Sequence, residues 1–205
     1  MSRPSAVPRP LLTLLALAAL AAALTATTAA RAQSGAAVKV AGKSTTFTLA
    51  PAVKQRIDRL GIKLAVVAPA TSSGAATATF PITSVRGQVQ RLRGVVRHSG
   101  GLTLTRGDRK VTLRNIAIVA NGKRGYATAK LGQRRIRVFR LTGAKRSVEG
   151  TEVTLSVTLR LTAQGARFVN RRLPAAHLRA GRVLGSAVLS GTLVRADEQY
   201  ADPFA

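Results

Sequence analysis

Apolar and polar side chains alternate along most of the chain after about residue 44. In the clearest run, residues 153–161 (VTLSVTLRL), five apolar side chains alternate with hydroxyl side chains and one arginine. Shorter runs of the same kind occupy residues 102–104, 111–113 and 135–138. Turn signals such as Thr142-Gly143 separate these runs. Because a two-residue period sends alternate side chains to opposite faces of a strand, the pattern predicts a half-buried antiparallel sheet, with a meander of short strands over about residues 85–161.

Two short segments follow a helical period instead. Residues 51–60 (PAVKQRIDRL) place apolar side chains at positions i, i+4 and i+7, and Gly61 follows as a stop signal. Residues 163–173 (AQGARFVNRRL) do likewise, with Thr162 as the predicted N-cap. Each segment directly follows a strand pattern and leads through a loop into another strand. We therefore predict a mainly β fold, an antiparallel meander or sandwich with two short helices in strand–helix–loop–strand units at its ends.

The first 32 residues differ from the rest in composition. Residues 1–10 carry two arginines and no acid, and residues 11–24 carry no charge. Small residues follow and end in Ala30-Arg31-Ala32, an A-x-A cleavage signal. A helix of fourteen residues is about 21 Å long, which is shorter than the roughly 30 Å core of a membrane. We therefore predict a cleavable signal peptide, with Ala30 and Ala32 marking the cleavage site, and a secreted or cell-wall-associated protein without a stable membrane anchor.

The remaining residues are sufficient for one domain. We expect a polar leader at residues 33–43, a single β-rich domain at residues 44–194 and a flexible polar tail at residues 195–205. The sequence contains no cysteine, so a hydrophobic core and not a set of disulfides must stabilise the fold.

The chain is strongly basic, with a formal net charge of +26 that falls to +23 when residues 1–32 are removed. Such a field attracts polyanions, although a solvated basic surface that reflects biased codon usage would have the same composition. Secretion argues against intracellular nucleic acid, and five phenylalanines, two tyrosines and no tryptophan offer few stacking platforms. We expect the partner to be an anionic envelope polymer or an anionic small ligand.

The sequence offers little support for catalysis. Only His98 and His177 could serve as the histidine of a Ser-His-Asp or Cys-His set, and neither lies near a nucleophile motif such as G-x-S-x-G. The seven acids are mostly separated, and the closest group, Asp197, Glu198 and Asp202, lies in the tail, where calcium binding is an alternative. The chain carries no phosphate-binding loop, dinucleotide fingerprint or zinc spacing. We therefore predict a protein that is not an enzyme and has no metal site.

Three central stretches carry a family resemblance. They are residues 92–105 (LRGVVRHSGGLTLT), 111–118 (VTLRNIAI) and 125–129 (GYATA), and the first contains the pattern G-x-x-x-H-x-G-x-L. Together with residues 161–168 (LTAQGARF), they resemble the HtaA-type domain, a secreted actinobacterial family related to haem uptake. The resemblance covers about residues 46–193 and implies a β-rich domain with two short helices and haem as the candidate cofactor.

This chain departs from the family at the position that matters most for haem. In haem-binding members a tyrosine near the first helix ligates iron and the histidine of G-x-x-x-H supports it, and His98 matches that histidine. Neither helical segment contains a tyrosine, the opening strand lacks the usual tryptophan, and Tyr126 and Tyr200 lie elsewhere. His98 is therefore either a cofactor-binding residue or a turn residue beside Gly100-Gly101, and His177 is interpreted as a loop residue.

Two functions follow from these observations. The first is a secreted, non-catalytic HtaA-like binding or surface module for haem or another anionic ligand. The second is a structural or adhesive cell-wall-associated protein that its basic surface holds to anionic envelope polymers. The first function predicts an apolar, ligand-sized cavity beside His98 with arginines at its rim.

Overall fold

The computed structural model describes residues 38–88, 93–122 and 124–195. The predicted signal peptide with Ala30 and Ala32 and the tail beyond Arg195 lie outside these residues. The strands are β1 (Val38–Leu49), β2 (Lys63–Val67), β3 (Thr71–Ser72), β4 (Thr77–Gln88), β5 (Arg93–His98), β6 (Gly101–Arg106), β7 (Arg109–Asn121), β8 (Arg124–Leu131), β9 (Arg134–Glu149), β10 (Glu152–Leu161) and β11 (Val183–Arg195). The helices are α1 (Pro51–Arg59) and α2 (Ala163–Arg172), and a single 3-10 turn occupies Pro174–Ala176. The mainly β class with two short helices is confirmed.

All strands pair antiparallel, in the order β2-β6-β7-β5-β4-β1-β11-β10-β9-β8, with β3 beside β4. A further pairing of β7 with β8 closes the eight strands from β7 around to β8 into a ring. Strands β7 to β11 pair in chain order, as the predicted meander requires. Strands β5 and β6 do not pair with each other, because β6 pairs with the first half of β7 and β5 with its second half.

The first strand starts earlier than the predicted leader allows. Strand β1 begins at Val38, and its first residues pair with the last residues of β11, from Val38 opposite Arg195 to Gly42 opposite Gly191. The long β11 offers backbone partners to residues that we assigned to the polar leader at 33–43. The described sheet therefore also includes Arg195, which we assigned to the tail.

The predicted turn at Thr142-Gly143 is wrong. Strand β9 continues through these residues, and its register against β10 shifts between Ser156 and Thr158. Gly143 has a φ of 64°, which glycine adopts without the penalty of a Cβ atom. Both β-bulges and turns favour glycine at a positive φ. A glycine in the sequence therefore does not show which of the two it will form.

The core fills the ring and is closed at one end by α2. Phe47 of β1 stacks on Phe139 of β9 with ring centroids 6.4 Å apart. Thr162 caps α2 as predicted, because its Oγ1 accepts a hydrogen bond from the Gly165 amide at 3.0 Å. A Cβ atom on Gly165 would lie 2.8 Å from the carbonyl oxygen of Val138, so α2 lies directly against the backbone of β9. In the described part of the chain, no helix has the length and apolar character needed to cross a membrane.

Candidate functional site

The first candidate site surrounds His98, the last residue of β5. Its side chain is only 5% exposed and points into the ring. The Nδ1 atom lies 3.2 Å from the carbonyl oxygen of Ile116, and Nε2 lies 2.8 Å from the Oγ1 atom of Thr45. Because a carbonyl only accepts, Nδ1 carries the proton in the neutral ring, and Nε2 accepts from the Thr45 hydroxyl.

The surroundings of His98 favour the uncharged imidazole. Burial lowers the pKa of His98 from its ordinary value of 6.5, and the hydrogen bond to Ile116 opposes part of that shift. The other residues that line the space beside the ring carry no charge; they are Thr45, Phe47, Phe80, Leu102, Ile116, Ile118, Ala127, Phe139, Leu159 and Ala187. His98 is thus a neutral, doubly hydrogen-bonded residue that links β1, β5 and β7.

The space beside His98 is too small for a cofactor. The cavity has a volume of about 40 Å³, whereas small-molecule sites measure about 300–1,000 Å³. Its lining is apolar, as the first function predicts, but it has no arginine rim. The interpretation of His98 as a turn residue also differs from the structure, since His98 belongs to β5 and its side chain lies inside the ring, while Ser99 and Gly100 form the connection to β6.

Tyr126 does not line the cavity beside His98. Tyr126 belongs to β8, where it is opposite Val119 and Arg140, and the Arg137 guanidinium lies 4.4 Å above its ring centroid. Its ring is therefore part of the surface of the sheet and not of the His98 cavity. Tyr200 lies outside the described residues.

A larger cavity lies beside α1, and we call it the α1 cleft. It has a volume of about 410 Å³, which falls within the range of small-molecule sites. Its walls come from α1 and the residues that flank it, from the segment between α2 and β11, and from the start of β11. The lining residues are Ala50, Ala52, Val53, Arg56, Ile57, Arg59, Leu60, Ile62, Ala176, His177, Leu178, Arg182, Val183 and Leu184.

The α1 cleft combines an apolar floor with cationic side chains. Ile57 and Ile62 are buried at its base, while Arg56, Arg59 and Arg182 supply three guanidinium groups. No acid is among the lining residues. Such an arrangement can hold a molecule that has an apolar body and carboxylate or phosphate groups, because guanidinium binds these anions through paired hydrogen bonds.

His177 brings a ring nitrogen to this cleft. It follows the 3-10 turn in a left-handed conformation with a φ of 41°, and its side chain is exposed. The Nη2 atom of Arg56 donates to the backbone carbonyl of His177 at 3.4 Å, which links the two walls. We interpreted His177 from the sequence as a loop residue, and the structure places that loop at a candidate site.

The sequence did not reveal the α1 cleft. Arg56 and His177 are separated by 121 positions, so no local pattern connects them. The available signal was that both strand–helix–loop–strand units are rich in arginine and that each helix directly follows a strand. The pairing of β1 with β11 then brings the start of α1 close to the start of β11, where the Ala50 amide donates to the Leu184 carbonyl at 3.0 Å.

The four described acids are dispersed, apart from Glu149 and Glu152, which are opposite each other where β9 meets β10. Asp58 pairs with Lys54 and Glu152 pairs with Lys43, while Asp108 lies in the turn between β6 and β7. Across residues 38–88, 93–122 and 124–195, no group of three or more histidines, cysteines or acids is close enough to hold a metal ion. The acids Asp197, Glu198 and Asp202, with the calcium alternative, lie outside the described residues.

Comparison with solved structures identifies the fold. The chain is similar to the C-terminal domain of HtaA from Corynebacterium glutamicum, with 17% identity, a TM-score of 0.59, and coverage of 76% of this chain and 100% of that domain. It is also similar to the heme binding protein HtaB from Corynebacterium glutamicum, with 12% identity, a TM-score of 0.56, and coverage of 77% and 95%. The chain is similar as well to the N-terminal domain of HtaA from Corynebacterium glutamicum, with 17% identity, a TM-score of 0.53, and coverage of 75% of this chain and 98% of that domain.

Neither a protein-family model nor a curated protein sequence matches the chain. The likeness therefore lies in the arrangement of the strands and helices and not in extended sequence identity. The chain has the HtaA-type fold in a highly divergent form, as the resemblance of its central motifs implies.

Proposed function

We propose that this chain is a secreted, non-catalytic binding module of the HtaA type whose ligand is a small anionic molecule with an apolar body. The observation that supports the proposal is the α1 cleft, which brings three arginines and one histidine to an apolar floor in a cavity of about 410 Å³. Haem is the first candidate, because it has an apolar ring and two carboxylates, and because a solved neighbour with the same fold is described as heme binding.

The two histidines differ in how well they suit haem. Both ring nitrogens of His98 have protein partners, and the adjacent cavity of about 40 Å³ is far too small. His177 is exposed at a cleft of suitable size, with Arg56 and Arg182 available for the carboxylates. Haem would supply a ferric iron that accepts an imidazole nitrogen as ligand. The ligand set thus proposed for this chain has His177 in place of the tyrosine that the resemblance implies.

A titration of the purified mature protein with haem tests this proposal. We expect a shift of the Soret band that saturates at one haem per chain. H177A should move the band and weaken binding, whereas H98Q should leave the band unchanged. R56Q/R182Q should weaken binding of both haem and metal-free protoporphyrin IX, because the arginines act on the carboxylates and not on iron.

The charge control is R86Q/R124Q, which removes two exposed arginines that do not line the α1 cleft. A flat titration of the unaltered protein would exclude haem as the ligand. If R86Q/R124Q weakened binding as much as R56Q/R182Q, the general basic field and not the cleft would be responsible.

We propose retention on anionic envelope polymers as a second function of the same secreted chain. The described residues contain four acids, and two of these are paired with lysines, so most of the cationic surface has no internal counter-charge. Retention on isolated cell walls should fall steadily as salt is raised, because exposed charges are screened within about 10 Å at 0.1 M salt. Retention that salt does not change would contradict this second function.

A further inference from the structure

Cationic side chains lie directly opposite one another on four neighbouring strands. In the register of the sheet, Arg114 of β7 is opposite Lys130 of β8, and Lys130 is opposite Arg135 of β9. Farther along β9, Arg140 is opposite Arg160 of β10. With Arg137, which lies between the two rows, these residues form a surface that we call the cation ladder: Arg114, Lys130, Arg135, Arg137, Arg140 and Arg160.

The whole cation ladder lies on the outer face of the ring. Opposite residues of an antiparallel pair share a face, and successive residues along a strand change face. The register of β9 against β8 shifts between Arg137 and Phe139, and this extra residue returns Arg140 to the face of Arg137. Along β8 and β9 most chain neighbours of the ladder residues are buried, as Leu131 and Ile136 illustrate. Five of the six cations are exposed, and Arg160 is half-buried because it donates to the Gly181 carbonyl at 3.1 Å.

No described acid neutralises this surface. The two ion pairs within the described residues use Lys43 and Lys54, and neither of these belongs to the ladder. Like charges directly opposite one another destabilise a sheet, and neighbouring strands are only about 4.8 Å apart. An external anion that binds across the strands therefore relieves a repulsion that is already present in the fold.

Arg160, with its hydrogen bond to Gly181, and two further ladder residues are held in place before any ligand arrives. Arg135 donates from Nη1 to the Asn115 carbonyl at 3.0 Å and to the Thr128 hydroxyl at 2.9 Å. The Arg137 guanidinium lies 4.4 Å from the ring centroid of Tyr126. Preorganised cations lose less conformational freedom on binding, so these three residues give half of the ladder a fixed geometry.

We infer that the cation ladder binds a linear envelope polymer with phosphodiester groups and no aromatic bases. Phosphates spaced along a flexible chain can meet cations on successive strands. The Tyr126 face is covered by Arg137, so the ladder has no free aromatic platform for nucleic-acid bases. The exposed large apolar residues of the described chain, Val148 and Val183, lie outside the ladder, which disfavours insertion into a lipid surface.

This inference rests on the proposed retention by envelope polymers and adds the site and the ligand chemistry. The test measures binding of labelled poly(glycerol phosphate) to the mature protein over a range of salt concentrations. The variant R114Q/K130Q/R140Q removes three ladder charges and spares the hydrogen bonds of Arg135. The matched control K63Q/R86Q/R179Q removes three exposed charges that lie outside the ladder.

Each phosphate contact to a single-stranded polyanion contributes about 0.7 to the slope of log K against log salt. That slope is negative, and we expect R114Q/K130Q/R140Q to make it less steep by about two and to weaken binding roughly 10- to 100-fold at 0.15 M salt. The control should change the slope by less than one. R114Q/K130Q/R140Q should melt at no lower a temperature than the unaltered protein, because it removes like-charge repulsion. If it melts at a lower temperature, the single variant K130Q replaces it in the binding test, with an expected change in slope of about 0.7.

The outcomes separate the inference from the proposal beneath it. If the unaltered protein does not bind poly(glycerol phosphate), retention by envelope polymers is itself wrong. If it binds and both triple variants lose affinity equally, retention stands and the ladder is not its site. Tighter binding of oligo(dT), or of phosphatidylglycerol vesicles, than of poly(glycerol phosphate) would overturn the assigned ligand chemistry.

Discussion

His98 and Thr45 form a polar pair inside an otherwise apolar ring. The imidazole and the hydroxyl are both buried, and their hydrogen bond of 2.8 Å joins β1 to β5. A buried donor or acceptor that loses its partner pays the full desolvation cost of that group. Removing one member of the pair while the other remains should therefore destabilise the fold more than removing both.

We predict that Thr45→Val destabilises the protein by about 1–3 kcal/mol, because it preserves shape and leaves Nε2 of His98 without a partner. Thr45→Ser keeps the hydroxyl and should recover most of the loss, apart from the cost of one missing methyl group. The free energy of unfolding in urea measures both changes. Equal stability of the valine variant and the unaltered protein would show that the hydrogen bond contributes nothing net.

The buried imidazole also makes stability depend on pH. Burial lowers the pKa of His98 below 6.5 in the folded state, so the unfolded chain binds the proton more readily. Stability therefore rises with pH wherever the unfolded chain binds more protons. We predict that the contribution of His98 is fully present above about pH 6.5 and is lost as the pH falls from there through the folded pKa.

Free energies of unfolding between pH 8 and pH 5 measure this contribution. His98→Gln should be less stable at pH 8 and should lack the loss of stability below pH 6.5. His177→Ala is the control and should retain that loss, because it leaves the buried imidazole in place. An unchanged pH profile in His98→Gln would assign the pH dependence to other groups.

At the scale of elements, α2 shows how a local signal and a tertiary contact combine. Thr162 caps the helix and also donates from Oγ1 to the Arg137 carbonyl at 2.6 Å, which ties the helix start to β9. Gly165 in the first turn allows close approach to Val138. Helix propensity alone favours alanine over glycine by about 1 kcal/mol, so the glycine is explained by packing.

We predict that Gly165→Ala destabilises the protein by about 1–3 kcal/mol, in spite of the gain in helix propensity, because the new methyl group meets the backbone of β9. Arg171→Ala, on the exposed side of α2, should change stability by less than about 0.5 kcal/mol. Thermal unfolding followed by circular dichroism compares the two variants. A more stable Gly165→Ala protein would mean that α2 moves away from β9 at little cost.

Periodicity located the elements well but not the way they close. Both helices, the strand at residues 153–161 and the cap at Thr162 follow from local patterns. Closure of the ring depends on the pairing of β7 with β8 and of β1 with β11. No local sequence pattern specifies which residues of these strands lie opposite one another. For the same reason the G-x-x-x-H pattern identified His98 as a candidate but did not predict that its side chain is buried. His177 lies at the α1 cleft only because distant segments of the chain come into contact.

The whole molecule combines a closed ring of strands with a large excess of positive charge. Each strand in the ring has a partner on both sides, so the ring is protected against edge-to-edge association. The net charge opposes compaction, since self-repulsion is stronger in the folded state than in the expanded chain. The fold must therefore tolerate a repulsion that its few acids do not cancel.

We predict that salt stabilises this protein. Raising sodium chloride from about 0.01 M to 0.3 M shortens the Debye length from about 30 Å to roughly 6 Å, so repulsion between distant surface cations is largely screened. If screening recovers about 1 kcal/mol, the melting temperature of a chain of this size rises by about 2–4 °C. Calorimetry across this range measures the rise.

R114Q/K130Q/R140Q should start from a higher melting temperature at low salt and should gain less on addition of salt, because it lacks the closest like-charge pairs. A melting temperature that is independent of salt in both proteins would show that the surface cations are too well solvated to oppose folding, and the relief of repulsion would then contribute nothing to binding at the cation ladder.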